Sequence, residues 1–337
     1  LDFISHHLHF HQVLLEEYPL FEYQPYELAL SSKMVEVVEK HQLEVLHVHY
    51  AIPHAYAAFM AKQMLKEKGI SVKVVTTLHG TDITLVGSHP TYKTAVEFSI
   101  NNSDVVTEVS NDLKTTTNRL FNINKDIKVI YNFIDVDKYD NANQQKCERI
   151  AIAKPNERIL THISNFRPVK RVEDVIKVFY EVNKEIPSKL LLIGEGPDRA
   201  KAENLVNKLK ISDDVLFFGN SSEVTKILCY SDIFLLPSQT ESFGLAALEA
   251  MAAKTAVIST NTGGLPEVNI QGVTGYLSDL GDIEDMAKNA ISILKDDATL
   301  EIFKENAREH TKRFSLENIL PVYEEIYKSC YKSKVKS

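Results

Sequence analysis

Short apolar runs recur along this chain, separated by longer amphipathic stretches, and no other feature restricts the fold so strongly. Runs such as Leu190 to Ile193 and Ile233 to Leu236 are continuously apolar, and Val72 to Leu78 is apolar or β-branched at every position but Lys73, rather than alternating. A strand reads that way when helices cover both faces of a parallel sheet. The same pattern predicts strands at Val45 to His49, Val105 to Val109, Lys128 to Tyr131, Ile159 to Ile163, Val215 to Phe218 and Ala256 to Thr260, with helices between them. Strand–helix alternation of this kind builds βαβ units and an α/β fold. At 337 residues the chain can hold two such sheets, each with its own core.

The polar stretch DKYDNANQQKCERIAIAKPNER, residues 137–158, interrupts the pattern and marks the domain boundary. The expected division is a first domain of residues 1–147, joined by a C-terminal helix within 314–337, and a second domain of residues 148–313. The tail FSLENILPVYEEIYKSC has apolar residues at helical spacing and could pack on either half. LDFIS, at the start, reads as a strand already under way, and the cluster HHLHFH after it as a chain end rather than a metal site.

A net charge of −8 gives no electrostatic footprint for nucleic acid or for an anionic membrane, so any phosphate site must be local. No apolar run is long enough to span a bilayer. The three cysteines, Cys147, Cys229 and Cys330, stand isolated, which suggests neither a disulfide framework nor zinc and makes a reducing cytoplasm the simplest setting. An oligomer of identical chains is left open.

The segment LLPSQTESFGLAALEAMAAKTAVIST, residues 235–260, reads as strand, loop, helix and strand. Ser242 is placed to cap the helix, and Gly244 lets another molecule approach its first turn, where unpaired N–H groups favour an anion. Glu241 lies just before that start and Glu249 roughly 7–8 Å along the helix body from Gly244, at about 1.5 Å per residue. Two carboxylates flanking an anion-binding helix end suit a ligand with phosphate in the middle and hydroxyl groups on both sides, such as a nucleotide sugar. The equal alternative has Glu241 capping the helix and Glu249 in a buried ion pair.

THISNFRPVKRVEDVIKVF, residues 161–179, favours the ligand reading, because Arg167, Lys170 and Arg171 cluster at the end of a predicted parallel strand. LLIGEGPDR, residues 191–199, adds a glycine-rich turn at the same sheet edge but is not the dinucleotide fingerprint GxGxxG. In the first half, TTLHGTDIT carries His79, Gly80, Thr81 and Asp82 at a strand end, and HVHYAIPHA carries a packing role for His47 and a cleft position for Tyr50. Asp135 and Asp137 form a DxD triplet, which reads as a turn rather than a metal site.

Together these motifs resemble retaining glycosyltransferase family 4. Glu241 and Glu249 match its E-x7-E signature, and ESFGL, GGLPE at 263–267, SNFRPVKR and HGTD follow in its order and spacing. The resemblance implies the GT-B architecture of two Rossmann-like domains with parallel sheets facing across a cleft. HVHYAIPHA, TTLHGTDIT, VSNDL and VIYNFID are similar to the branch that moves N-acetylglucosamine from UDP-N-acetylglucosamine to L-malate, the first step of bacillithiol biosynthesis. By that resemblance Glu249 accepts from the ribose diol, and Glu241 holds hexose hydroxyls. The N–H groups of Phe243, Gly244 and Leu245 meet the pyrophosphate or hexose, while Arg167 and Lys170 neutralise the departing UDP. His79 contacts the donor hexose; Tyr50, Thr81 and Asn111 are the malate candidates. No metal or other cofactor is expected, since the implied reaction is a same-face displacement in which the departing phosphate helps deprotonate the malate hydroxyl.

The family's first strand and glycine-rich loop have no counterpart before His9. For a chain complete as written, the expectation is donor binding without efficient transfer. The rival readings are a family 4 transferase for another acceptor, such as an inositol phosphate or a lipid-linked sugar, and a UDP-sugar binding protein without turnover. A 2-epimerase shares the architecture but does not need the E-x7-E wording.

Overall fold

The apolar runs do become parallel strands, and each sheet is wound by right-sized connections that contain the helices. The computed structural model describes residues 8–15, 23–139 and 149–332. Ten strands are described: β1 Val45–His49, β2 Lys73–Leu78, β3 Val105–Glu108, β4 Ile127–Val129, β5 Arg158–Ile163, β6 Ser188–Ile193, β7 Val215–Gly219, β8 Ile233–Leu236, β9 Ala256–Thr260 and β10 Gly275–Ser278. Nine of these were anticipated to within about two residues at each end. The tenth, β10, was missed because GYLS has neither an apolar run nor alternation. Its glycine answers to packing, since a Cβ on Gly275 would lie 1.7 Å from the Val257 carbonyl oxygen of the neighbouring strand.

The helices are α1 Tyr26–His41, α2 Tyr56–Glu67, α3 Pro90–Asn102, α4 Asn111–Leu120, α5 Val172–Glu185, α6 Arg199–Leu209, α7 Val224–Tyr230, α8 Leu245–Ala252, α9 Leu265–Val268, α10 Ile283–Leu294, α11 Asp297–Thr311 and α12 Leu316–Lys332. Helix α5 shows why: Val172, Val175, Ile176, Phe179 and Val182 recur at helical spacing and are all buried. It ends at Ile186, where Pro187 follows and cannot continue it. Burying Phe179 completely makes its truncation to Ala worth about 3–5 kcal/mol.

The chain groups into two compact units, one of residues up to Ile130 together with those from Pro321, the other of Tyr131–Leu320. The expected boundary at 147/148 falls at the edge of residues 140–148, outside the described part, as do LDFIS, His6 and His7. The first unit holds a four-stranded parallel sheet of order β1-β2-β3-β4. The second holds a six-stranded parallel sheet of order β10-β9-β8-β5-β6-β7, with its main core between β5, β6, α5, α6, α10 and α11. Two parallel-sheet α/β units are what the GT-B expectation requires.

Cys330 is buried and in no disulfide, whereas Cys229 is disulfide-bonded, which corrects the expectation of unpaired thiols; Cys147 lies outside the described residues. No described helix is long and apolar enough to cross a membrane.

Candidate functional site

In the second unit the chain leaves β5 towards β6 and β7, then returns to β8 on the other side of β5. The loops after β5 and β8 therefore diverge, and open α/β sheets bind ligands at such a switch point. His162 ties the two strands there, its Nδ1 hydrogen-bonded to the Leu235 carbonyl at 2.8 Å and its Nε2 to the Ser164 hydroxyl at 2.8 Å. Full burial pushes the ring down to a pKa of about 4, so it is neutral and structural.

Backbone packing then sets the loops. Gly194 has φ +121°, and a Cβ there would sit 1.7 Å from the Ser164 carbonyl oxygen. The GEGP turn thus lies directly against the SNF turn, and the Asp198 N–H donates to the Phe166 carbonyl at 3.0 Å. On the other side, a Cβ on Gly263 would sit 2.0 Å from the Glu241 carbonyl oxygen, so the GGLPE turn supports the ESFGL loop. The weak GEGP match is therefore a support for the loop that carries Arg167 and Lys170.

Lys170 pairs with Glu241 at 2.5 Å, and the Ser238 hydroxyl donates to the same carboxylate at 2.9 Å. Ser238 was not singled out from the sequence; its position three residues before Glu241 was the available signal. Arg171 is engaged by Asp174, while Arg167 is exposed and makes no ion pair among the described residues. Helix α8 begins at Leu245 with Gly244 as its N-cap, in the left-handed region and with no side-chain cap. The N-cap is therefore Gly244 rather than Ser242 or Glu241, which corrects both sequence readings of that turn, and a glycine cap offers no side-chain acceptor of its own to the first-turn N–H groups. Phe243 and Gly244 are buried and Leu245 is exposed.

Glu249 lies one turn further along α8, half-buried between fully buried Leu248 and Ala250. Among the described residues it has neither hydrogen bond nor ion pair, so the buried-ion-pair alternative fails. Burial raises its pKa, partly opposed by Lys138. Its charge in turn helps burial raise the pKa of the neighbouring Tyr139 hydroxyl. Asp135 accepts from the Lys138 N–H at 3.3 Å in a turn, and no described group of three side chains could hold a metal ion.

In the first unit, the loops after β1 and β2 are tied by one carboxylate. Asp82, buried, accepts from the N–H groups of Ala51 at 2.8 Å, Gly80 at 3.0 Å and His79 at 3.3 Å. Tyr50 stands at the start of this tie with φ +76°, its ring centroid 5.0 Å from that of His79. His79 Nε2 meets His49 Nδ1 at 2.8 Å, and burial, followed by the charge of His49, pushes His79 down to about 4. It is a neutral hydrogen-bonding group with Nδ1 left over. His47 is packed, between Tyr327 of α12 at 2.6 Å and Thr77 at 2.8 Å.

Tyr50, Thr81 and Asp82 line a cavity of about 610 Å³ together with Glu27, Tyr56 and Tyr92. Among the described residues no Lys, Arg or His lines it, and Asn111, exposed at the start of α4, stands outside it. Asp82 and His49 were not assigned roles from the sequence, although HGTD and HVHY displayed them; what the residues alone did not reveal is which neighbours they would meet.

Residues 3–138 match the family described as Glycosyltransferase Family 4, and residues 144–310 match Glycosyl transferases group 1. The chain is 47% identical over 321 residues to N-acetyl-alpha-D-glucosaminyl L-malate synthase of Bacillus anthracis, covering 95% of this chain and 84% of that protein. Among solved structures, a glycosyltransferase from Rickettsia africae superposes with a TM-score of 0.75 at 24% identity, over 94% of this chain and 85% of the other. Alr3699/HepE of Anabaena, solved in complex with UDP, superposes at 0.76 and 20% identity, over 89% and 82%. Fold, motifs and an identity of that size over nearly the whole length agree, and the chain belongs to the family 4 glycosyltransferases.

Proposed function

We propose that this protein transfers N-acetylglucosamine from UDP-N-acetylglucosamine to the hydroxyl of L-malate with retention, the first step of bacillithiol biosynthesis by the resemblance drawn above. The near full-length identity to a synthase of that name carries the substrates. Glu249, without hydrogen bond or ion pair among the described residues, behind a helix start capped only by a glycine, is the geometric support on the donor side.

In this reading the α8 N-terminus, through the N–H groups of Phe243, Gly244 and Leu245, receives the pyrophosphate or hexose, and Glu249 gains the ribose diol as the partner it lacks. Glu241 both meets hexose hydroxyls and holds Lys170 in place. As the sugar–phosphate bond breaks, negative charge grows on the leaving UDP, and Lys170 with the unpaired Arg167 stabilises it. We assign that role to these cations rather than to a metal, with Asp135 engaged in its turn. The departing phosphate oxygen takes the malate hydroxyl proton. Neutral His79 is assigned to the transferred sugar as a hydrogen-bonding group, and Tyr50, Thr81 and Asn111 to malate. The proposed setting is the cytoplasm, with no nucleic-acid or membrane partner.

The test is incubation with UDP-N-acetylglucosamine and a panel of hydroxy acids, reading UDP release and the sugar product together. Malate-dependent release of UDP with a malate glycoside is the expected result. Release indifferent to the acid supplied, or donor binding without turnover, overturns the assignment.

A further inference from the structure

Glu108 ends β3 as the one charged residue in VVTEV, and it is completely buried. Its Oε1 accepts from the Thr117 hydroxyl of α4 at 2.5 Å, while its Oε2 is buried with no hydrogen-bond partner. The strands on either side place Leu78 and Val129 opposite it in register. The charged groups bearing on it are Asp82, from the loop after β2, and Lys114 of α4, whose ammonium is hydrogen-bonded to the Ile127 carbonyl and to Asp126. A carboxylate in that position is desolvated and leaves one oxygen without a hydrogen-bond partner, so ionising it is costly, and the charge of Asp82 adds to that cost.

Burial raises the pKa of Asp82 too, but the N–H groups of Ala51, His79 and Gly80 point at it and favour its charged form, whereas Glu108 has a single hydroxyl donor, so Asp82 is the member that uses its charge. We infer that Glu108 is a positioning residue that works as the neutral acid, leaving Asp82 free to hold the loops of Tyr50 and His79 in place. Burial, reinforced by Asp82 and opposed by Thr117 and Lys114, sets its pKa at about 8. The sign follows. An acid whose folded pKa is raised contributes stability that is complete below its unfolded value, and that is lost as pH rises through the folded one. Ionised Glu108 would repel Asp82 and loosen the tie.

The test compares the wild-type protein with Glu108→Gln, which keeps the acceptor for Thr117 and cannot ionise, and with Thr117→Val, which removes a bond that favours the ionised form. Malate-dependent turnover of the wild type should fall above about pH 8, by about tenfold per unit for a single ionisation. Glu108→Gln should stay flat there, and Thr117→Val should move the fall to higher pH. In parallel, the Tm of the wild type should drop relative to Glu108→Gln between about pH 5 and pH 8 and hold a constant gap above that range. The same alkaline fall in wild type and Glu108→Gln, no fall in the wild type, or a shift to lower pH in Thr117→Val overturns the inference. Should Glu108→Gln fail to fold, the direction of the Thr117→Val shift decides. The turnover reading rests on the transferase assignment, whereas the Tm difference does not, so a silent assay with the thermal gap intact indicts the reaction and leaves Glu108 standing.

Discussion

The two units use parallel sheets for different kinds of site. The second places its candidate residues at a switch point between β5 and β8, with loops set by backbone-to-backbone contact, and leaves Glu249 and Arg167 without an ion pair among the described residues. In the first, the described strands wind in one direction only, and the loops are held by buried polar side chains, Asp82 foremost. A loop fixed by close backbone contact leaves its side chains available for a ligand. A loop fixed by a buried carboxylate needs that carboxylate for itself, and its geometry then depends on the charge of the neighbours.

The largest effect should come from adding one carbon to the backbone-built side. Gly194→Ala puts a Cβ 1.7 Å from a carbonyl at positive φ, and a loss of roughly 3 kcal/mol or more in denaturant unfolding is expected. Gly69→Ala, in the first unit, has φ +73° against +121° at Gly194 and nothing within 4 Å, and should cost only about 1 kcal/mol. Equal losses would mean that backbone conformation, rather than loop contact, matters at Gly194.

Next in size is Glu241→Ala, which frees Lys170 from its only described ion pair. Turnover should fall about 100-fold with UDP affinity changed by less than about threefold. Equal losses in both would place Glu241 on the UDP moiety instead. Glu249→Ala should weaken UDP binding by about 10- to 100-fold in calorimetry, the scale of one charged hydrogen-bonding group. Its Tm should hold or rise, because the carboxylate is desolvated without a partner. A clear fall in Tm would reveal a structural role and erase the contrast between the units. The smallest change is Tyr50→Phe, which keeps the ring beside His79 and removes a hydroxyl. A roughly threefold rise in KM for malate, about 0.6 kcal/mol, is expected with Tm unchanged.

Much of this was legible in advance where local pattern and local function coincide. Continuous apolar runs announced the strands β5, β6, β8 and β9 because both faces of those strands are buried. ESFGL announced the start of helix α8, and its electrostatics as a candidate anion site follow from helix starts in any fold. The cap at Gly244 was misplaced to Ser242, since both residue types start helices and only the φ of 98° at Gly244 separates them.

The sequence by itself determined the α/β class, the two sheets and the family, and it nominated the residues proposed to meet a nucleotide sugar. Those follow from periodicity and from motifs whose residues are neighbours in the chain. Only the tertiary structure decided which charges are engaged: Lys170 with Glu241 across 71 positions, Arg171 with Asp174, and Glu249 with nothing described. It also decided that Glu108 is sealed from water and feels the charge of Asp82, 26 residues away in the chain. The ionisation of a group is set by its distance to other charges and to water, and neither distance exists until strands far apart in sequence are paired.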